Sequence, residues 1–346
     1  MKIGLGIPIP YLSNLPGVSR PGGASIDYIV KVQPSLDTVN KERVTIGVRN
    51  LGLNYKVDWG DGEITTQTGQ NPTHTYLNPA DREFTVKITA SKNAEVPQIT
   101  QLGVGTAGSN SPERKTLTDI VQFGSRTTLN NQQIFAGCEN LGINTNGEIT
   151  ANDLPKVTSA DAGRFAFQNC KNLNTNKLAR LFSSSNMESG IKINSLQSCF
   201  TDCNVFNGTG CEDWDVSNVV NFSGMFQNAF AYNQPLGNWD TTLGDTFVRM
   251  FQNAYAWDQD VSRWNIKNAG VGSTSGFQFW KRDTTSSASY VPISEENASA
   301  ILVGWAAQTV QTDNVLEMEG STLNPDGEAA KITLESAPAA WNVVLT

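Results

Sequence analysis

The sequence has one histidine, His74, and that scarcity removes whole classes of chemistry. A Ser-His-Asp or Cys-His relay would have to use it, and the only nucleophiles beside it are Thr73 and Thr75. No HExxH, no CxxC and no glycine-rich phosphate loop with Lys occurs, so zinc-hydrolase, dithiol and nucleotide-binding readings lack a motif. Charge is sparse too: charged residues make up 17% and the net charge is -8. Phosphate backbones need clustered Lys and Arg, so no nucleic-acid partner is expected, and anionic membranes are disfavoured for the same reason. No apolar run approaches the roughly 18 residues of a membrane span, so no membrane insertion is expected. Pro8, Pro10 and Pro16 break the apolar N-terminal stretch, and no small-residue cleavage signature follows, so no signal peptide is expected. The cysteines (Cys138, Cys170, Cys199, Cys203, Cys211) are odd in number and confined to the central third, unlike a secreted disulfide framework. The 33 carboxylates offer chance pairs, but no spacing marks a glycosidase pair. The expectation is a protein that is not an enzyme and uses no cofactor.

What is abundant is uncharged polarity and internal pattern. Residues 1–26 are rich in Pro and Gly, cannot hold a regular helix, and read as an extended anchoring arm. Residues 27–105 alternate as strands do: Val44, Ile46, Val48; then Tyr55, Val57, Trp59; then Phe84, Val86, Ile88. Asp61-Gly62 supplies a tight turn after the second run. Val57-Asp58-Trp59-Gly60-Asp61-Gly62, followed by Thr73-His74-Thr75-Tyr76 and Phe84-Thr85-Val86-Lys87-Ile88, resembles a PKD-type Ig-like domain over about 65 residues. The Asn78–Glu83 segment departs from it by replacing a short Gly turn. Asp58 and Asp61 flank the turn and could contribute to a calcium site, which needs about six to eight oxygens. An Asx side chain bonding turn amides is the simpler role. His74 reads as a packed structural residue.

Residues 106–290 are periodic. Phe135, Phe167, Phe200, Phe226 and Phe251 follow one another at 32, 33, 26 and 25 residues. Three positions after each stands Cys138, Cys170, Cys203, Ala229 or Ala254, and three further on Leu141, Leu173, Phe206, Tyr232 or Trp257. Gly142, Asn174, Asn207, Asn233 and Asp258 come next. Positions i, i+3 and i+6 lie near one face of a helical turn, giving an apolar stripe that only a neighbouring unit can cover. A quasi-one-dimensional solenoid follows, with the Cys and Ala slot small where units approach closely. Cys199, Cys203 and Cys211 could alternatively hold a metal as thiolates. The stretch Trp214–Trp239, with its WDVSNV, MF and NQPLGNW elements, closely resembles the BspA-like leucine-rich-type repeat. Leu117–Gly124 leading to Phe135–Leu141 looks like the first repeat of such an array. Trp214, Trp239 and Trp264 recur every 25 residues, either as core or as an exposed ladder for surface contact.

Residues 291–346 read as a capping module: Ser294 caps a helix with Ala298, Ile301, Leu302 and Trp305 on one face. A strand around Val315–Met318, a helix Glu328–Leu334 capped by Asp326, and a strand Trp341–Leu345 follow. The expected fold is therefore multidomain: an all-β Ig-like sandwich plus an α/β leucine-rich-repeat-like solenoid with a C-terminal cap. The resemblances imply rigid spacing and surface contact. The functional expectation is a phage virion structural or adhesion protein, such as a fibre or decoration protein. Its arm would bind other virion proteins, and its solenoid would face a host protein or carbohydrate, in a homo-oligomeric assembly. A bacterial cell-surface adhesin is the alternative.

Overall fold

The computed structural model describes residues 28–37, 39, 41–46, 55–69, 71–90, 112–124, 128–129, 132–270, 292–336 and 338–345. The arm expected at residues 1–26 lies outside them, as does Val48 of the first strand run.

The N-terminal region is built from β1 (Tyr28–Val32), β2 (Arg43–Thr45), β3 (Tyr55–Asp58), β4 (Ile64–Gln67), β5 (Thr73–Thr75), β6 (Phe84–Ala90) and β7 (Leu117–Gln122). Five strands form an antiparallel sheet in the order β4-β3-β6-β1-β7, and β2 pairs with β5 separately. Alternation explains the packing: Tyr28, Val30 and Val32 of β1, Tyr55 and Val57 of β3, and Phe84, Val86 and Ile88 of β6 are buried. Val44, Ile46, Trp59 and Tyr76 complete that core.

The boundary expected at residue 105 does not separate two bodies, because β7 belongs to the sheet. It pairs with β1, with Lys31 opposite Asp119. Its carbonyls also serve the region that follows: Gly142 N–H donates to Thr118 O at 2.9 Å and Ala151 N–H to Ile120 O at 2.7 Å. Gripped from both sides, Leu117 to Ile120 are all buried, and the hydrophobic core runs unbroken across the junction.

Beyond β7 the chain winds through stacked coils, one per repeat. The repeated Phe segment is not a turn of helix, contrary to the expectation from i, i+3, i+6 spacing. It is a run of tight turns, in which Cys138 N–H reaches Phe135 O and Leu141 N–H reaches Cys138 O, both at 3.0 Å. Helix is prevented because the residues two before each Phe (Gln133, Phe165, Ser198, Gly224, Arg249) and two after (Gly137, Asn169, Asp202, Asn228, Asn253) all have positive φ. Amides that would bond within a helix point instead at the next coil. Phe135 N–H donates to Ala166 O, Phe167 to Cys199 O, Phe200 to Met225 O and Phe226 to Met250 O, each flanked by two equivalent bonds, at 2.6 to 3.0 Å. Within these Phe segments the donors face the C-terminal neighbour and the acceptors the N-terminal one, whereas elsewhere in the coils bonds such as Val220 N–H to Asn194 O and Gly270 N–H to Asp245 O run the other way. Short elements punctuate the early, longer coils: β8 (Thr128–Leu129) parallel to β9 (Lys156–Val157), and α1 (Asn176–Ala179) capped by Thr175.

Both ends of the stack are closed by side chains. At the first coil Arg114, 1% exposed, donates through Nη1 to the Ala136 carbonyl. At the other end α2 (Glu295–Ala306), capped by Ser294, buries Ala298, Ile301, Leu302 and Trp305. Trp305 Nε1 donates to Val261 O, and Gln308 donates to Trp264 O while accepting from Ile266 N–H. The cap then runs through β10 (Val315–Glu317), α3 (Pro325–Glu335) and β11 (Asn342–Val344), with β10 parallel to β11. The α3 cap is Asn324 rather than Asp326: Pro325 opens the helix, and Asn324 Oδ1 takes the Gly327 N–H at 2.9 Å.

Candidate functional site

The repeat residues assemble into continuous internal columns. Phe135, Phe167, Phe200, Phe226 and Phe251 stack at 5.4, 5.1, 5.7 and 5.5 Å between centroids, with planes within 9° of parallel. Aromatic pairs of this kind add about 0.5–1.5 kcal/mol each beyond burial. Leu141, Leu173, Phe206, Tyr232 and Trp257 are buried alongside, Phe206 and Tyr232 at 5.8 Å.

The small slot carries a role that size alone does not explain. Cys170 Sγ–H donates to Phe135 O at 3.1 Å and Cys203 Sγ–H to Phe167 O at 3.0 Å. Ala229 and Ala254 fill the slot in the later coils. All five cysteines are buried and reduced. Burial pushes the Cys138 thiol up to about 12, against the pull of Arg114, and raises the other four thiols as well. Thiols kept protonated are poor nucleophiles and poor ligands. Among the described residues no group of three or more His, Cys, Asp or Glu is placed to hold a metal.

A polar column that sequence reasoning left without a role runs beside the Phe residues. Asn174 Oδ1 accepts Asn207 N–H, Asn207 Oδ1 accepts Asn233 N–H, and Asn233 Oδ1 accepts Asp258 N–H, at 2.8 to 2.9 Å. Asp258 Oδ1 then takes Ser294 N–H, Ser294 Oγ and Asn297 Nδ2, which ties the cap to the last coil. The signal was visible: four polar residues held one register position.

Trp214, Trp239 and Trp264, read either as core or as an exposed contact ladder, are core. They are 5%, 4% and 0% exposed, and Trp239 stacks on Trp264 at 6.0 Å. Their indoles are engaged from inside: Trp239 Nε1 donates to Cys211 O at 3.0 Å and Trp264 Nε1 to Leu236 O at 2.8 Å. Trp305 of α2 extends the series onto Val261 O. Stacking consumes both faces of a ring, and a donor aimed inward fixes its edge.

In the sandwich, both turn carboxylates are bound by the protein itself. Asp58 Oδ1 accepts Gly60 N–H, and Asp61 Oδ1 accepts Glu63 N–H, each at 3.0 Å. Asp61 Oδ2 meets His74 Nε2 at 2.8 Å. The His74 ring stacks on Trp59 at 4.9 Å and lies edge-on to Tyr76 at 4.5 Å, while Tyr76 Oη donates to Trp59 O. Asp58 and Asp61 therefore act as turn acceptors, and His74 as a packing residue.

Packing does not use up the longest repeat unit. Its surplus residues, 183–192, form a loop pinned by Glu188 N–H to Val157 O and by Asn186 Nδ2 to Pro155 O. Between this loop and the next coil lies a groove of about 250 Å³ lined by Phe182, Met187, Ile191, Lys192 and Asp215 among others. Lys192 pairs with Asp215 at 3.2 Å on its rim. The groove is shallow and apolar-floored with a charged edge, suited to contact rather than bond-making.

Residues 161–279 match a family described as Mycoplasma protein of unknown function, DUF285, which lies within the BspA-like repeats. That stretch holds the coils of Phe167, Phe200, Phe226 and Phe251. No curated protein and no solved structure matches the chain. Among the described residues no helix is long and apolar enough to cross a membrane.

Proposed function

We propose that this chain is a non-enzymatic structural and adhesive component of a phage particle. In this reading a PKD-like sandwich acts as spacer, a solenoid of BspA-like repeats as display surface, and residues 1–26 as the anchor to other virion proteins. One observation carries it: the repeated motif is spent on its own columns, so what the coils offer outside is an extended, rigid polar face. Many weak contacts on such a face add up when copies are held together. Host protein or carbohydrate is the class of partner this suits, and a homo-oligomeric assembly supplies the multiplicity. The experiment is negative-stain imaging of purified particles labelled with antibody to this chain. Label at one defined position supports the reading, and particles free of the protein overturn it. The family description names a bacterium, which favours a second reading, a bacterial cell-surface adhesin. Label on intact bacterial cells instead of particles would select it.

A further inference from the structure

Among the described residues, the one place where a lysine amine meets a fully buried carboxylate is the joint between the N-terminal sheet and the coils. Lys31 on β1 and Asp119 on β7 are register partners, and Lys31 Nζ lies 3.9 Å from Asp119 Oδ2. The Asp119 side chain is 0% exposed. Glu83, just ahead of β6, brings Oε1 to 3.2 Å from the same Nζ. Thr150 donates its N–H to Asp119 Oδ1 at 2.8 Å and its hydroxyl to Oδ2. Amine, dry carboxyl, neighbouring base and paired donors thus converge on one face of two adjacent strands.

We propose that Lys31 and Asp119 condense to an intramolecular amide that links β1 to β7. The parts supply each need of the reaction. Held as cross-strand partners, the two groups meet without the entropy cost of encounter. Glu83 takes a proton from the Lys31 ammonium, and the freed lone pair attacks Asp119 Cγ. The Thr150 N–H stabilises the oxyanion that develops on Oδ1. Glu83 hands that proton to the other oxygen, takes a second from the nitrogen once the N–C bond has formed and passes it to the same oxygen, which leaves as water as the C–O bond breaks and the carbonyl re-forms on Oδ1. One N–C bond forms, one water is released, and no oxidant or reductant is involved. Thr118 Oγ1 and Asn144 Nδ2, each 2.7 Å from Glu83 Oε2, position the relay. The amide would make the joint covalent, independent of what the coils bind.

Intact-mass measurement of the denatured full chain tests this directly, since it needs no variant to fold. The expected result is a mass one water below that of the sequence, with a branched peptide joining the segments around Lys31 and Asp119. Lys31→Arg restores the full mass, and Asp119→Asn loses ammonia in place of water. Glu83→Gln leaves a large uncondensed fraction; complete condensation in that variant removes Glu83 from the mechanism. Full mass in the wild-type chain, with tryptic cleavage after Lys31, overturns the proposal and leaves the trio an ion-pair network.

Discussion

The sandwich and the coil stack bury aromatic residues equally well but by opposite strategies. In the sandwich each large side chain has a part played once. Trp59 bonds Thr65 through Nε1, receives the Tyr76 hydroxyl on its carbonyl and stacks on His74. In the stack one part is played five times, and each Phe differs from the next only in its neighbours. Singular contacts demand an individual residue; repeated ones demand a register. The sandwich should therefore be sensitive at a few points and the stack at a few positions per turn.

The largest effect should come from a central ring of the stack. Phe200→Ala removes a fully buried side chain stacked on both Phe167 and Phe226 and should cost about 3–5 kcal/mol in urea unfolding. A loss below about 1 kcal/mol would show that the column is not a continuous core. Next is Gly60 in the sandwich, where φ is +81° and an added Cβ would sit 2.5 Å from Thr85 O. Gly60→Ala should cost about 2–3 kcal/mol, and Gly62→Ala, which meets open space, clearly less; equal losses would contradict a steric origin. In the polar column Asn207→Ala leaves the Asn233 N–H without its acceptor and the Gln234 amide with only the Asn207 backbone carbonyl, for about 1–3 kcal/mol. Asn207→Asp, which keeps an acceptor there, should recover most of the loss in thermal melts.

Acid should weaken both regions. Burial raises the Asp61 carboxyl, but bonds from His74 and Glu63 outweigh it and hold it below its ordinary value. Asp215 is lowered chiefly by the Ser217 hydroxyl, as Asp240 is by Thr242. A depressed folded pKa gives stability that is present above the unfolded value and lost as pH falls through the folded one. Melting temperature should accordingly drop as pH falls below about 4, and Ser217→Ala should flatten that drop. The smallest effect belongs to Cys203→Ala, which changes the slot to the residue that Ala229 and Ala254 already place there. It should cost less than about 1 kcal/mol, while Cys203→Leu overpacks the coil contact and costs about 1–3 kcal/mol.

Repetition also explains what could be read in advance. The Phe, Cys and Trp positions stand out in the sequence because each recurs, and the alternation of β1, β3 and β6 stands out because strands have period two. Left-handed backbone at Phe165, Ser198 and Arg249 has no such signature, since bulky or polar side chains rarely take positive φ. Helical spacing was therefore the natural and mistaken inference. Trp214, Trp239 and Trp264 show the converse limit: a period says that residues are equivalent, not which side they face. Arg114 and the Lys31–Glu83–Asp119 trio were invisible because each is a single meeting of segments far apart in the chain.

The shared direction of the bonds between Phe segments has a consequence for synthesis. Along its Phe segments a chain emerging from the ribosome shows amide hydrogens at its newest finished layer, and the carbonyls of those segments are already taken by the layer before. Each arriving Phe segment meets those amides with its own carbonyls, so the body lengthens layer by layer. Arg114, made before the first layer, closes the starting edge by filling the place of a layer that has no predecessor.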